Sequence, residues 1–199
     1  MSSREIDKLI SCISRLPGMG YRSAVRIVVY MLKRKNVVME YLLKVMEVVY
    51  RNSKTCEICG NVDVVSPCSI CSNLKRDSST ICVVSDISDL WSVERSGFYK
   101  GKYHILGGKL SAVEGIRPED LSIDALYGRI KSSDEIREII MAMSADLDGQ
   151  TTMFFVNNRI KELGVKITTL ANGVPVGGEL EYLDDGTIIA AFNQRRNVE

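Results

Sequence analysis

Apolar positions in the first third of the chain recur at helical spacing. Residues 4–15 place Ile6, Leu9, Ile10 and Ile13 on one face. After LPGMG, Leu16 to Gly20, a second helix carries Val25, Val28, Val29 and Leu32 as its expected buried stripe. Pro17 and Gly18 stop the first helix, so the layout is helix, Gly-flanked hairpin, helix. Residues 37–51 continue as a third helix, with Val38, Leu42, Val45 and Val49 inward and Leu43 and Met46 beside them. That excess of apolar surface predicts packing against another subunit as well as its own. Further on the pattern changes to short apolar runs. Thr80–Ser85, Lys102–Gly108, Glu138–Met143 and Val165–Leu170 read as buried strands, with one helix from Asp86 to near Gly97 and another beginning in SADLDG. Such alternation predicts a parallel sheet with functional residues at the strand C-terminal ends, near which lie Asp86, Asp89, His104, Asp146 and Asp148.

The stretch between the two patterns, CEICGNVDVVSPCSIC, carries the strongest chemical signal. Cys56/Cys59 and Cys68/Cys71 are two CxxC pairs eight residues apart, with Gly60 and Pro67 as turn formers, and they predict a four-thiolate tetrahedral zinc site. A disulfide pair, a redox CxxC and an iron–sulfur ligand set are the rival readings. Four sulfurs leave no open position, so the ion is expected to hold structure, and in a loop with so few large apolar side chains its binding energy is folding energy. Cys12 and Cys82 are expected to be buried as small hydrophobes.

Charge divides the chain. Residues 1–55 carry eleven Lys/Arg against four Asp/Glu, whereas residues 81–199 carry thirteen against eighteen. The basic front suggests a polyanion, nucleic acid first, and the acidic back a protein partner. Gly18 and Gly20 let backbone approach a ligand closely, N–H groups at the next helix start bind a phosphate oxygen, and Arg22 and Arg26 point to one side to hold adjacent phosphates. The charged start MSSREIDKLI and the lack of an apolar run of about 18 residues predict neither export nor membrane spanning, hence a reducing cytoplasm.

Two weaker signals follow. Asp146 and Asp148 form a DxD after a strand, a usual magnesium pattern, but Ser85 ends the first strand where a further carboxylate is wanted; the alternative is a helix N-terminus stabilised by negative charge. His104, the one histidine, is expected to be a packed or hydrogen-bonded side chain. LEYLDDGT, Leu180 to Thr187, lacks the phosphate loop that ATP hydrolysis requires.

Taken together, LPGMGYRSAVR, CxxC(8)CxxC, YHILGGKLSAVEGIRPEDL, ANGVPVGGELEYLDDGT and AAFNQRR resemble the RecR family of bacterial recombination mediators over essentially the whole chain. The resemblance implies an α+β multidomain fold: a helix-hairpin-helix DNA-binding domain over 1–54, a four-cysteine zinc finger over 55–78, an α/β toprim domain with a mostly parallel sheet over 79–172, and a C-terminal segment, 173–199, completing the oligomer. It implies a ring-like tetramer that binds single- and double-stranded DNA without sequence preference, acts with RecO and RecF to load RecA, and resides in the cytoplasm at the nucleoid. Arg22 and Arg26 match the family's DNA-contacting positions, the four cysteines its zinc ligands, and Asp146–Gly149 a toprim acidic turn. Ser85 stands where the family usually has glutamate, which weakens metal-dependent catalysis. Outside the mediator reading stand a magnesium-dependent toprim nuclease or primase-like enzyme and an architectural zinc protein that binds only proteins.

Overall fold

A computed structural model describes residues 3–195, so Arg196 and the residues after it lie outside the description. The chain divides into two compact units, the first ending at Ser53 and the second beginning at Lys54.

In the first unit, α1 (Arg4–Ser14) and α2 (Tyr21–Lys33) are joined by a turn in which Gly18 takes φ 75°, a conformation that excludes most side chains. Ile10 meets Ala24, Val28 and Met31, with Ile6, Leu9 and Ile13 packed against them, as the helical pattern of α1 predicts. The stripe expected on α2 is corrected: Val29 and Leu32 are exposed, while Ala24 and Met31 are buried with Val28. The apolar arc of α2 is wider than the face one neighbour covers, and α1 approaches where Ala24 is smallest. The third helix also departs from expectation. Lys35–Met39 form a π-helical turn before α3 (Glu40–Asn52), and α3 buries no residue; Val38 packs on the core, but Leu42, Val45 and Val49 are exposed. Cys12 is exposed as well, because it lies on the face of α1 turned away from α2.

The second unit opens with a hairpin of β1 (Lys54–Thr55) and β2 (Val62–Asp63) and a one-turn helix α4 (Ser69–Ser72). There follow β3 (Asp77–Val84), α5 (Ile87–Ser96), β4 (Gly101–Ile105), α6 (Ile123–Lys131), β5 (Glu138–Ala142), α7 (Leu147–Ile160) and β6 (Lys166–Thr169). The strands make one parallel sheet in the order β4-β3-β5-β6, with Val83 opposite both His104 and Met141. Successive residues of β3 serve opposite faces. Ile81 and Val83 join Leu126, Ile130, Val156 and Ile160 in one core, and Cys82 and Val84 join Leu90, Tyr103 and Ile105 in the other. Cys82 is buried, as expected. Both sheet faces are therefore covered, which is why these strands read as continuous apolar runs.

The connections after β3 and β5 leave in opposite directions, so the sheet has its switch point between their C-terminal ends. Local chemistry starts each helix there. Asp86 and Asp89 form a reciprocal capping box on α5, and the Asp146 carboxylate accepts from Gly149 N at 2.7 Å to cap α7. Gly149 is needed for packing: a Cβ there would stand 2.1 Å from the Ser144 carbonyl oxygen, which is backbone and cannot swing aside. Gly149→Ala is expected to cost about 1–3 kcal/mol, read as a lowered urea midpoint at unchanged slope.

The last helix, α8 (Asp185–Asn193), is capped by Asp184, which accepts from Thr187 N at 2.9 Å. The acidic run LEYLDDGT thus serves as a helix start. Gln194 Oε1 accepts from Asn172 N at 3.2 Å, tying the end of α8 to the segment after β6. No helix among the described residues is long and apolar enough to cross a membrane.

Candidate metal centre and nucleic-acid interface

The two CxxC pairs fold into facing turns. Cys56 N donates to Asn61 O at 2.7 Å and Gly60 N to Cys56 O at 2.9 Å, closing the first turn on Gly60 at φ 79°. Ser72 N donates to Cys68 O at 2.9 Å in the second, and the Asp63 carboxylate binds the N–H groups of Val64 and Ser69, fixing the hairpin to the start of α4. The Ser69 N–H and hydroxyl, followed by the Val64 N–H, hold the Asp63 carboxyl below its usual range. The Sγ atoms of Cys56, Cys59, Cys68 and Cys71 lie within 4.8 Å of one another, and Cys59 and Cys68 sulfurs are 3.6 Å apart. Tetrahedral zinc with Zn–S bonds of about 2.3 Å places its sulfurs roughly 3.8 Å apart, so the cluster fits the ion.

The electrostatics make the same demand. Burial raises the Cys56 thiol, but N–H groups of Cys68, Cys59 and Ile58 outweigh it and bring it to about 7. The Cys59 thiol, hydrogen-bonded to Cys71 and buried, is pushed far up. Four such sulfurs ionise together only around a cation. The centre is a structural zinc site, and bound zinc supplies a cross-link with no open coordination position.

The metal-binding segment is built onto the sheet. Ile105 N donates to Cys59 O at 2.8 Å, so the first CxxC turn covers the edge of β4. Lys102 Nζ reaches the carbonyls of Ile70, Cys71 and Asn73, and Arg129 Nη1 those of Ile58 and Tyr103. Reading the sequence missed both residues. The only trace of Lys102 was a lysine inside an apolar strand, and Arg129 left none.

At the sheet's switch point lies a cleft of about 600 Å³ lined by Ser85, Asp86, Asp89, Lys109, Ser144 and Asp148 among others. Of the strand-end residues, Asp86, Asp89 and Asp148 border this cleft. Asp146 is committed to the N–H of Gly149 and to Lys109 Nζ at 2.6 Å, and these contacts, Lys109 first, hold its carboxyl down at about 2. Lys109 also donates to Ser144 Oγ at 3.1 Å. The lysine that neutralises Asp146 was not anticipated either, because the two are 37 positions apart and meet only once β4 and β5 flank β3. His104 sits elsewhere. It is buried on β4, with Nε2 2.9 Å from Ser122 O and Nδ1 without a partner, in keeping with the packed role expected of it.

In the first unit, Gly20 is the N-cap of α2 in ordinary extended backbone at φ −90°, and no side chain caps the helix. Only Gly18 of the pair needs a left-handed conformation. The first N–H groups of α2 therefore have no side-chain cap, and Arg22 and Arg26 in the first turns are exposed. Among the described residues neither guanidinium is held in an ion pair.

Comparison with known proteins gives a consistent set of matches. The family model for the RecR helix-hairpin-helix matches residues 6–49, that for the RecR four-cysteine zinc finger domain residues 54–73, that for the toprim domain residues 79–171, and that for the RecR C-terminal region residues 173–196. A "Recombination protein RecR" of Erythrobacter litoralis is 48% identical over 199 residues, covering all of both chains. Those of Rhizorhabdus wittichii and Rhodospirillum rubrum are 48% and 46% identical over 198 residues, also covering all of both chains.

Proposed function

This chain belongs to the RecR family of recombination proteins, and from that premise we propose a division of labour between its two units. The protein is a DNA recombination mediator and not an enzyme; it binds DNA and protein partners. In the proposed arrangement the helix-hairpin-helix unit holds DNA through phosphates, with Gly18 and Gly20 admitting the backbone and Arg22 and Arg26 supplying charge. Such contacts read no bases, so single and double strands both bind and the affinity falls with salt. RecO and RecF are the proposed partners, docking on the acidic surface around the switch-point cleft and directing the mediator to gaps where RecA loads. Ser85 in place of a carboxylate and Lys109 on Asp146 speak against magnesium-dependent cleavage. The proposed compartment is the cytoplasm at the nucleoid, where thiolates stay reduced.

Self-association into a tetrameric ring is part of the proposal. The apolar residues of α3, among them Leu43, Met46 and Tyr50, are largely exposed in the single chain, as are Ile189 and Phe192 of α8. Several subunits on one DNA raise the effective concentration of each weak contact.

The observation that carries the reading is the uncapped N-terminus of α2 with two exposed arginines beside it, neither in an ion pair among the described residues. Its test is light-scattering mass together with DNA binding across a salt series, for wild type and the R22A/R26A variant. The variant is expected to keep its fold and mass, to bind at least about tenfold more weakly, and to lose roughly two from the salt slope per bound subunit. Unchanged affinity and slope would overturn the assignment.

A further inference from the structure

The zinc centre has a charge problem that its ligands do not solve. Four thiolates around one divalent ion leave a formal excess of two negative charges. Two cations from the toprim part meet it. Lys102 is 9% exposed, and its Nζ uses its three N–H donors on the carbonyls of Ile70 at 3.1 Å, Cys71 at 2.9 Å and Asn73 at 2.9 Å. Arg129 places Nη1 2.6 Å from Tyr103 O and 3.4 Å from Ile58 O; burial lowers its pKa, and the Cys71, Cys59 and Cys56 sulfurs oppose that lowering.

The arrangement is matched across the centre. Ile58 precedes Cys59 and Ile70 precedes Cys71, so in each CxxC turn the carbonyl of the same position receives a cation. Among the described residues neither Lys102 nor Arg129 is paired with a carboxylate. Burying an ammonium against carbonyls alone is unfavourable unless a negative charge lies close by. The CxxC turns whose carbonyls both cations bond carry negative charge on their sulfurs once metal is bound.

We infer that Lys102 and Arg129 are the counter-charges of the zinc–thiolate centre, one for each CxxC turn, and that they set how tightly the metal is held and how slowly its sulfurs react. Counter-charge lowers the electron density that the sulfurs offer to electrophiles and opposes their mutual repulsion. It also makes docking of the metal-binding segment on β4 and α6 depend on the metal, because the cations and the cluster stabilise each other.

The test compares charge with hydrogen bonding in the full-length zinc-loaded protein. Lys102→Gln keeps an N–H donor and loses the charge; Arg129→Lys keeps the charge and loses the fork, and Arg129→Gln loses the charge. Zinc affinity is measured by competition with a chromophoric chelator, and sulfur reactivity by the rate of N-ethylmaleimide addition in the metal-loaded state. Lys102→Gln and Arg129→Gln are expected to weaken zinc binding by about 10- to 100-fold and to speed thiol addition, while Arg129→Lys stays near wild type in both. Wild-type affinity and addition rate in the two Gln variants would overturn the inference. Equal losses in Arg129→Lys and Arg129→Gln would also overturn it, leaving Arg129 a purely geometric role; this pair decides alone if Lys102→Gln does not fold.

Discussion

Stripping zinc, or replacing Cys59 with serine, is expected to unfold residues 54–73 and to expose the β4 edge of the toprim sheet. Apart from its bonds to β4, Lys102 and Arg129, the segment has little apolar core of its own. Its buried residues are Cys56, Cys59 and Cys68, with Asn61, while Ile58, Val64 and Val65 face solvent. Structural zinc contributes about 10–16 kcal/mol in small zinc-folded peptides, far more than two short strands and one helical turn provide. Loss of the ion also frees the Ile105 N–H now bonded to Cys59 O at 2.8 Å. An uncovered parallel edge strand is a template for another chain. Chelation should therefore release zinc, change the far-UV circular dichroism and raise the scattering mass. Unchanged dichroism and mass after verified metal loss would refute the structural role.

Acid is expected to destabilise the second unit, and its single histidine contributes over a window of its own. Burial drives the His104 pKa down to about 4 from its ordinary 6.5, against the raising effect of the Ser122 carbonyl, and Arg129 adds to the lowering. Because Nε2 faces a carbonyl it must carry the proton, which leaves Nδ1 unprotonated in a place with no acceptor for a second one. Between pH 6.5 and 4 the unfolded chain binds a proton that the folded chain refuses, so the histidine's contribution is complete above about 6.5 and falls as the pH drops to about 4. The loss amounts to roughly 3 kcal/mol. Asp146, held down at about 2 against an ordinary 3.8, loses its contribution only below that window. With one histidine in the chain, its ring-proton NMR resonance reports the titration directly. A midpoint near 6.5 in the folded protein, or urea stability flat between pH 6.5 and 4, would contradict this account.

Several of the functional elements were legible because their determinants are local. The spacing of Cys56, Cys59, Cys68 and Cys71 dictates two turns on one ion, and Gly18 marks a left-handed turn. The apolar runs of β3 and β5 announce strands buried on both faces, and Asp86 and Asp146 begin the helices that they cap. In each case the interacting partners lie within a few residues, so the order of the side chains is itself the geometry.

Where the partners are distant, only the folded chain decides. Which arc of α2 is buried depended on where α1 lands, so Ala24 and Met31 displaced Val29 and Leu32. Cys12 ended exposed because the face of α1 it occupies is turned away from α2. Lys109 meets Asp146, and Lys102 and Arg129 meet the CxxC turns, because a parallel sheet with crossover helices brings remote segments together. Sequence by itself determined the metal, the hairpin and the strand-helix alternation, all short-range consequences of residue type and spacing. Tertiary structure alone decided which charges became partners, since Coulomb energy and desolvation depend on distances in space that chain order does not encode.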